Sequence, residues 1–272
     1  MTMQDLLDVF PQDARALEIM EMQIHETLVA SDMQMSIKLV DAFIFLFTDD
    51  LQNTLCNAST DDLIILLLSE AFKRIRASFI LSLKGYFVDS SALLRSVYEL
   101  NKAINAIQNG ALTAEYYLSD RREPEFLTLP KKKQLEAIKK HTDKVDKIIN
   151  DYDNAGLSPS IRDSLRIFKS NFNMAVHKAM GSIVLNFHDF RAGQDANLFR
   201  PFTDLSLFGL CVNNFSLLIL MFVRNVLRSP HVNPINREKL LDVSKLIEDV
   251  YSDSEGYTKD ILDYILAKFS LA

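Results

Sequence analysis

The chain has 272 residues, 48% of them hydrophobic, and a formal net charge of −6. That length and apolar content suit a large core, as one long domain or two intimate ones. The acidic balance excludes a global basic field that would draw the whole protein to nucleic acid. Seven Gly and seven Pro among long apolar runs at helical spacing make the chain all-α, a single-domain bundle of roughly nine helices. Cys56 and Cys211, the only cysteines, give no disulfide framework and no zinc spacing, and fit reduced thiols in a cytoplasmic protein. The opening MTMQDLLDVFPQDAR lacks a basic segment followed by an apolar core, so no signal peptide is expected.

In chain order, the sequence divides into N-terminal helices at 1–58, core helices at 59–180, an irregular insert at 181–203 and C-terminal helices at 204–272. A short helix is expected at 3–10, ended by Pro11, and a longer helical stretch at 13–51, interrupted near Ser31 and Asp32. Ser59, Thr60, Asp61 and Asp62 suit the start of a helix, with acidic side chains where the macrodipole favours them. The apolar run 63–68 continues through Phe72, Ile75, Phe79 and Leu83 to Gly85, which makes it a long helix rather than a strand. Lys73, Arg74 and Arg76 read as its solvated face.

A second helix at 90–108 follows after three residues, so the two are expected to form a helical hairpin. Leu93, Val97, Leu100, Ile104 and Ile107 lie on one stripe of this helix. Arg95, Glu99, Lys102 and Ala106 fall on the opposite face, with Asp89 or Ser90 as cap and Asn109-Gly110 as the stop. Arg95 and Glu99 read either as an ordinary surface pair one turn apart or as a pair lining a cleft.

A brief helix at 111–118 and a polar loop precede Pro130, which opens a strongly basic helix. Leu135, Ile138, Val145, Ile148 and Ile149 are its expected buried side. Its lysines form either a solvated face or a phosphate-binding stripe, the latter interrupted by Asp143 and Asp146. A helix at 161–179 enters through Ser158-Pro159-Ser160. The segment near 182–203 has no helical period and reads as an irregular or β-hairpin-like insert, a natural place for function. The uncharged run 205–223 is long enough to span a bilayer, but Asn213 and Asn214 at its centre make it a buried helix of the bundle instead, and a membrane role is not expected. Two helices, at about 234–251 and 257–271, close the chain.

No HExxH, no Gly-rich phosphate loop and no GxSxG occurs in the sequence, so neither a metal nor a cofactor is implied. His177 stands near a helix end before the irregular segment, with Asn171 and Asn173 upstream and Lys178 after it. It reads either as a cap packed on the following loop or as part of a small acid/base or anion site.

The segment LLSEAFKRIRASFILSLKGYFVDSSALLRSVYELNKAINAI, with Ser170 and Val176-His177 farther on, resembles a group of uncharacterised bacterial helical proteins. Those carry a long helix ending at Gly, a helix with LLRS-x-x-E and a downstream Ser and Val-His. They resemble, more distantly, HEPN-type domains (higher eukaryotes and prokaryotes nucleotide-binding). The resemblance implies a HEPN-like core, an accessory or effector role in a bacterial defence or stress system, an RNA or protein partner, and a homodimer. It also implies a metal-independent ribonuclease as the enzymatic version, with Arg95, Glu99 and His177 as the catalytic cluster and Asn171, Asn173 and Lys178 as binding residues. Active HEPN ribonucleases carry an Arg, then four to six intervening residues, then the His; here Ser170, Asn171 and Phe172 occupy the Arg positions before His177. Arg224 and His231 match that spacing formally, by accident or as an alternative site. The rival expectation is a non-catalytic helical scaffold.

Overall fold

The computed structural model describes residues 18–19, 21–28, 34–48, 63–118, 126, 128–176, 205–230 and 234–271. Beyond helical turns at 21–28, the helices are α1 (Gln34–Leu46), α2 (Leu63–Leu83), α3 (Phe87–Gln108), α4 (Ala114–Leu118), α5 (Lys131–Asn154), α6 (Pro159–Val176), α7 (Leu205–Leu227), α8 (Pro234–Ser252) and α9 (Gly256–Lys268). No strand occurs among the described residues, so the all-α expectation holds for them. The expected helix at 3–10, the helix start at 59–62 and the insert near 182–203 lie outside the described residues.

Two stops follow from glycine. Gly85 and Gly110 have φ of 84° and 71°, a conformation that costs glycine little. It turns the chain so that Gly85 N donates to the Ser82 carbonyl and Tyr86 N to that of Leu81, and so that Gly110 N and Ala111 N donate to Ile107 and Ala106. These bonds satisfy carbonyls that a helix end leaves open. α3 begins at Phe87, a turn earlier than its caps suggested, because Ser90 N finds the Tyr86 carbonyl. Asp89 therefore sits in the first turn, where its charge suits the macrodipole.

The chain forms two compact units: residues 1–48, 72–97 and 167–219 make the first, and 49–71, 98–166 and 220–272 the second. In the first unit, α1 packs Phe43 and Phe47 with Phe72 of α2, with ring centroids 4.3 to 6.5 Å apart. Phe79 meets Phe215 of α7 edge to face at 5.8 Å. The expected hairpin of α2 and α3 is closed by buried serines. Ser78 Oγ donates to the Ser90 carbonyl at 2.7 Å, and Ser82 Oγ lies 3.3 Å from Ser90 Oγ. Small side chains allow that approach, and each buried hydroxyl is paired.

In the second unit, Ala103, Ala106, Leu112, Val145 and Ile149 form a core cluster, and α7 buries every residue from Leu220 to Leu227. The apolar side of α5 is shorter than its spacing suggested. Val145 and Ile149 are buried, but Leu135 is 60% exposed. Its partners would have to come from another element, and helical spacing cannot supply them.

Candidate functional site

α3 carries the main departure from the sequence pattern. Lys102 and Ala106, expected on a polar face, are buried, and the run 101–106 is buried all round. The buried arc extends onto polar residues because other helices bring polar partners to them.

One partner set is acidic. Lys102 is 2% exposed. Its Nζ donates to Asn150 Oδ1 at 2.8 Å and lies 3.4 Å from Asp153 Oδ2 and 3.7 Å from Glu99 Oε2. The ammonium also sits over the Tyr98 ring. Asp153 accepts a hydrogen bond from the Tyr264 hydroxyl of α9. Burial first, then the neighbouring Tyr98 and Asp153, push the Tyr264 hydroxyl well above its ordinary value, so it stays a donor. Lys268 closes the same end of α5, donating to the carbonyls of Tyr152 and Ala155 at 2.9 and 2.6 Å. These are carbonyls a helix terminus leaves open.

The second set is built from amides. Asn225 Nδ2 of α7 donates to Asn101 Oδ1 at 3.0 Å, and Gln108 Nε2 donates to the Asn225 carbonyl at 2.8 Å. Arg228 Nη2 donates to Asn105 Oδ1 at 2.6 Å and Asn225 Oδ1 at 2.9 Å, with its guanidinium over the Phe269 ring. Burial lowers the Arg228 pKa from its ordinary value.

The sequence reading missed this seam. Its signal was present, in Asn101, Asn105 and Asn109 spaced four apart and in Arg224 and Arg228 spaced likewise.

The residues singled out from sequence fall as follows. Arg95 and Glu99 lie one turn apart on α3, half-buried, but Arg95 belongs to the first unit and Glu99 to the second. Asn171 lies half-buried on α6. Asn173 lies on α6 with its side chain outside the described residues, and His177, Lys178 and His231 lie outside them altogether. Arg224 is 7% exposed. Its Nη2 binds Glu248 Oε1 at 2.6 Å and its Nη1 donates to the Phe269 carbonyl at 3.2 Å, while Ser244 Oγ holds the same carboxylate at 2.7 Å.

The exposed cations of the second unit concentrate on α5. Lys131, Lys132, Lys133, Lys139, Lys140, Lys144 and Lys147 are all exposed. Lys139, Lys140, Lys144 and Lys147, with Glu136 and Asp143, line one surface depression of about 440 Å³. The residues at 136, 139, 140, 143, 144 and 147 share a face because the helix repeats every three to four positions. In the first unit a second hollow of about 360 Å³ lies among Glu18, Glu21, Met22, His25, Ile80, Leu83 and Lys84. There Glu21 accepts from Lys84 Nζ at 2.7 Å and from the Tyr86 hydroxyl at 2.9 Å. Burial, with Glu21 beside it, raises the Tyr86 pKa to about 12.

No described helix is long and apolar enough to cross a membrane. The chain matches no protein-family model, no curated protein and no solved structure.

Proposed function

We propose that this protein is a non-catalytic binding module that holds RNA by its phosphates on the lysine face of α5. The observation that carries the reading is the contrast in the second unit between its cations. The lysines around the α5 depression face solvent, whereas Lys102, Arg224 and Arg228 have carboxylate, amide or carbonyl partners inside the fold. Clustered exposed cations neutralise phosphates and release counterions, which is the main source of affinity for a nucleic-acid backbone. The engagement of Arg224 with Glu248 and Phe269 supports a structural role for it rather than one at a ribonuclease centre. The resemblance of 63–117 to bacterial helical proteins supports RNA as the polyanion, and supports a place for this HEPN-related module among cytoplasmic accessory proteins of defence or stress systems.

The test is fluorescence anisotropy with labelled single-stranded RNA in EDTA. The wild type is compared with a variant carrying Lys139→Gln, Lys140→Gln, Lys144→Gln and Lys147→Gln. The expected result is binding by the wild type, weakened about tenfold or more in the variant, with the RNA intact. Equal binding by both proteins overturns the proposal. Metal-independent cleavage by the wild type that His177→Ala abolishes would establish the ribonuclease reading in its place.

A further inference from the structure

We infer that the hollow of the first unit is a binding site for a small organic ammonium ion with an apolar body. Its volume of about 360 Å³ falls in the range of pockets that take small organic ligands. The local sequence explains both of its walls. Ile24 and Leu28, one turn apart, are buried and seat the helical stretch at 21–28 on the fold. Glu18, Glu21, Met22 and His25 follow one another at helical spacings and form the first wall. Ile80, Leu83 and Lys84 of α2 form the second. Met22 is 56% and Ile80 45% exposed, and Leu83 is half-buried. Exposed apolar residues taken singly are normal on a protein surface. Here they converge on one concavity from two segments remote in sequence. Glu21 fastens the walls together, accepting from Lys84 Nζ at 2.7 Å and from the Tyr86 hydroxyl at 2.9 Å. A ligand therefore meets a shape that is already formed, which lowers the ordering cost of binding.

Charge selects the occupant. The Lys84 ammonium is matched by Glu21. Glu18 lines the hollow one turn before Glu21 and has no hydrogen bond or ion pair among the described residues. With His25 neutral, the hollow thus carries one carboxylate beyond its single cation. Tyr86 stands in the same negative field: burial first, then Glu21 and Asp89, raise its pKa to about 12. An entering anion would meet two carboxylates and a lysine already engaged. An uncharged apolar molecule would cover Met22, Ile80 and Leu83 but leave Glu18 without a counter-charge. An ammonium ion with a hydrocarbon body satisfies both: its N–H groups donate to Glu18, and its apolar part covers the three apolar side chains. Glu18 is exposed, so its ion pair is screened by water and sets the sign of the ligand more than its affinity, which the apolar walls supply.

Ligand-observed NMR titration of the full chain tests the inference, with phenethylamine as the probe and hydrocinnamate, the same ring and linker ending in a carboxylate, as its counterpart. The wild type is expected to bind phenethylamine saturably, one molecule per chain, and hydrocinnamate about tenfold more weakly or less. Glu18→Gln is expected to weaken phenethylamine about threefold. Glu18→Lys, which reverses the charge of the hollow, is expected to reverse the preference between the two probes. Ile80→Ser, which removes part of the apolar wall, is expected to weaken phenethylamine about fivefold. Both substituted side chains are exposed, so an unchanged melting temperature shows that the fold is intact. A wild type that binds no phenethylamine overturns the inference. So does equal binding of the two probes by the wild type, or a preference that Glu18→Lys leaves unchanged.

Discussion

Lys102 and the lysines of α5 belong to the same unit and carry the same side chain to opposite ends. Lys102 is buried, with Asn150, Asp153 and the Tyr98 ring around its ammonium. Lys139, Lys140, Lys144 and Lys147 stand in water around a shallow depression. A buried ammonium must be paired, and its partners then depend on it as much as it depends on them. An exposed one costs the fold almost nothing and remains open to an outside anion. Substitutions at the first site should therefore register in stability, and substitutions at the second in binding.

The largest break in that contrast comes from Asp153→Ala. It leaves buried Lys102 with only the more distant and more exposed Glu99 carboxylate, and takes the Asp153 acceptor from Tyr264. The expected loss is about 3–5 kcal/mol in urea unfolding. Asn225→Ala is the next step down. It removes the donor to Asn101 and one acceptor of Arg228, at an expected cost of about 1–3 kcal/mol.

A smaller effect is expected at Asp260, whose carboxylate accepts from Ser160 and Ser164 at 2.7 and 2.6 Å. Those bonds, Ser164 first, lower its pKa. A lowered carboxylate pKa contributes stability above the ordinary carboxylate range and loses it as pH falls through the lowered value. Asp260→Asn should thus shift the urea midpoint downward near neutral pH, and the gap to wild type should close in strong acid. The smallest stability effect belongs to the fourfold lysine-to-glutamine variant of α5. Its melting curve should match wild type to within about 0.5 kcal/mol.

Much of the fold was legible because helical spacing and glycine stops are local. The end of α2 before Gly85 and the end of α3 at Gln108 follow from residues within one or two turns. The seam was not legible, because its partners are remote in sequence. Asn101 meets Asn225, Lys102 meets Asp153, and Tyr264 meets Asp153. A periodicity that counts only apolar side chains assigns Lys102 to solvent. The same rule assigns Leu135 to the core, where the structure leaves it exposed. The polar face drawn through Arg95, Glu99, Lys102 and Ala106 was right in spacing, but its lower half is covered by other helices. For the candidate site, the lysine stripe was visible at once; that Lys102 and Arg224 are tied up inside the fold needed tertiary structure.

The most direct measurement is the salt dependence of single-stranded RNA binding by the wild type and the fourfold lysine variant. If the α5 lysines neutralise phosphates, the slope of log affinity against log salt should be shallower in the variant by about 0.7 for each lysine in contact, about 3 for all four. Parallel lines for the two proteins would contradict the account, because the exposed lysines would then make no ionic contact with the RNA.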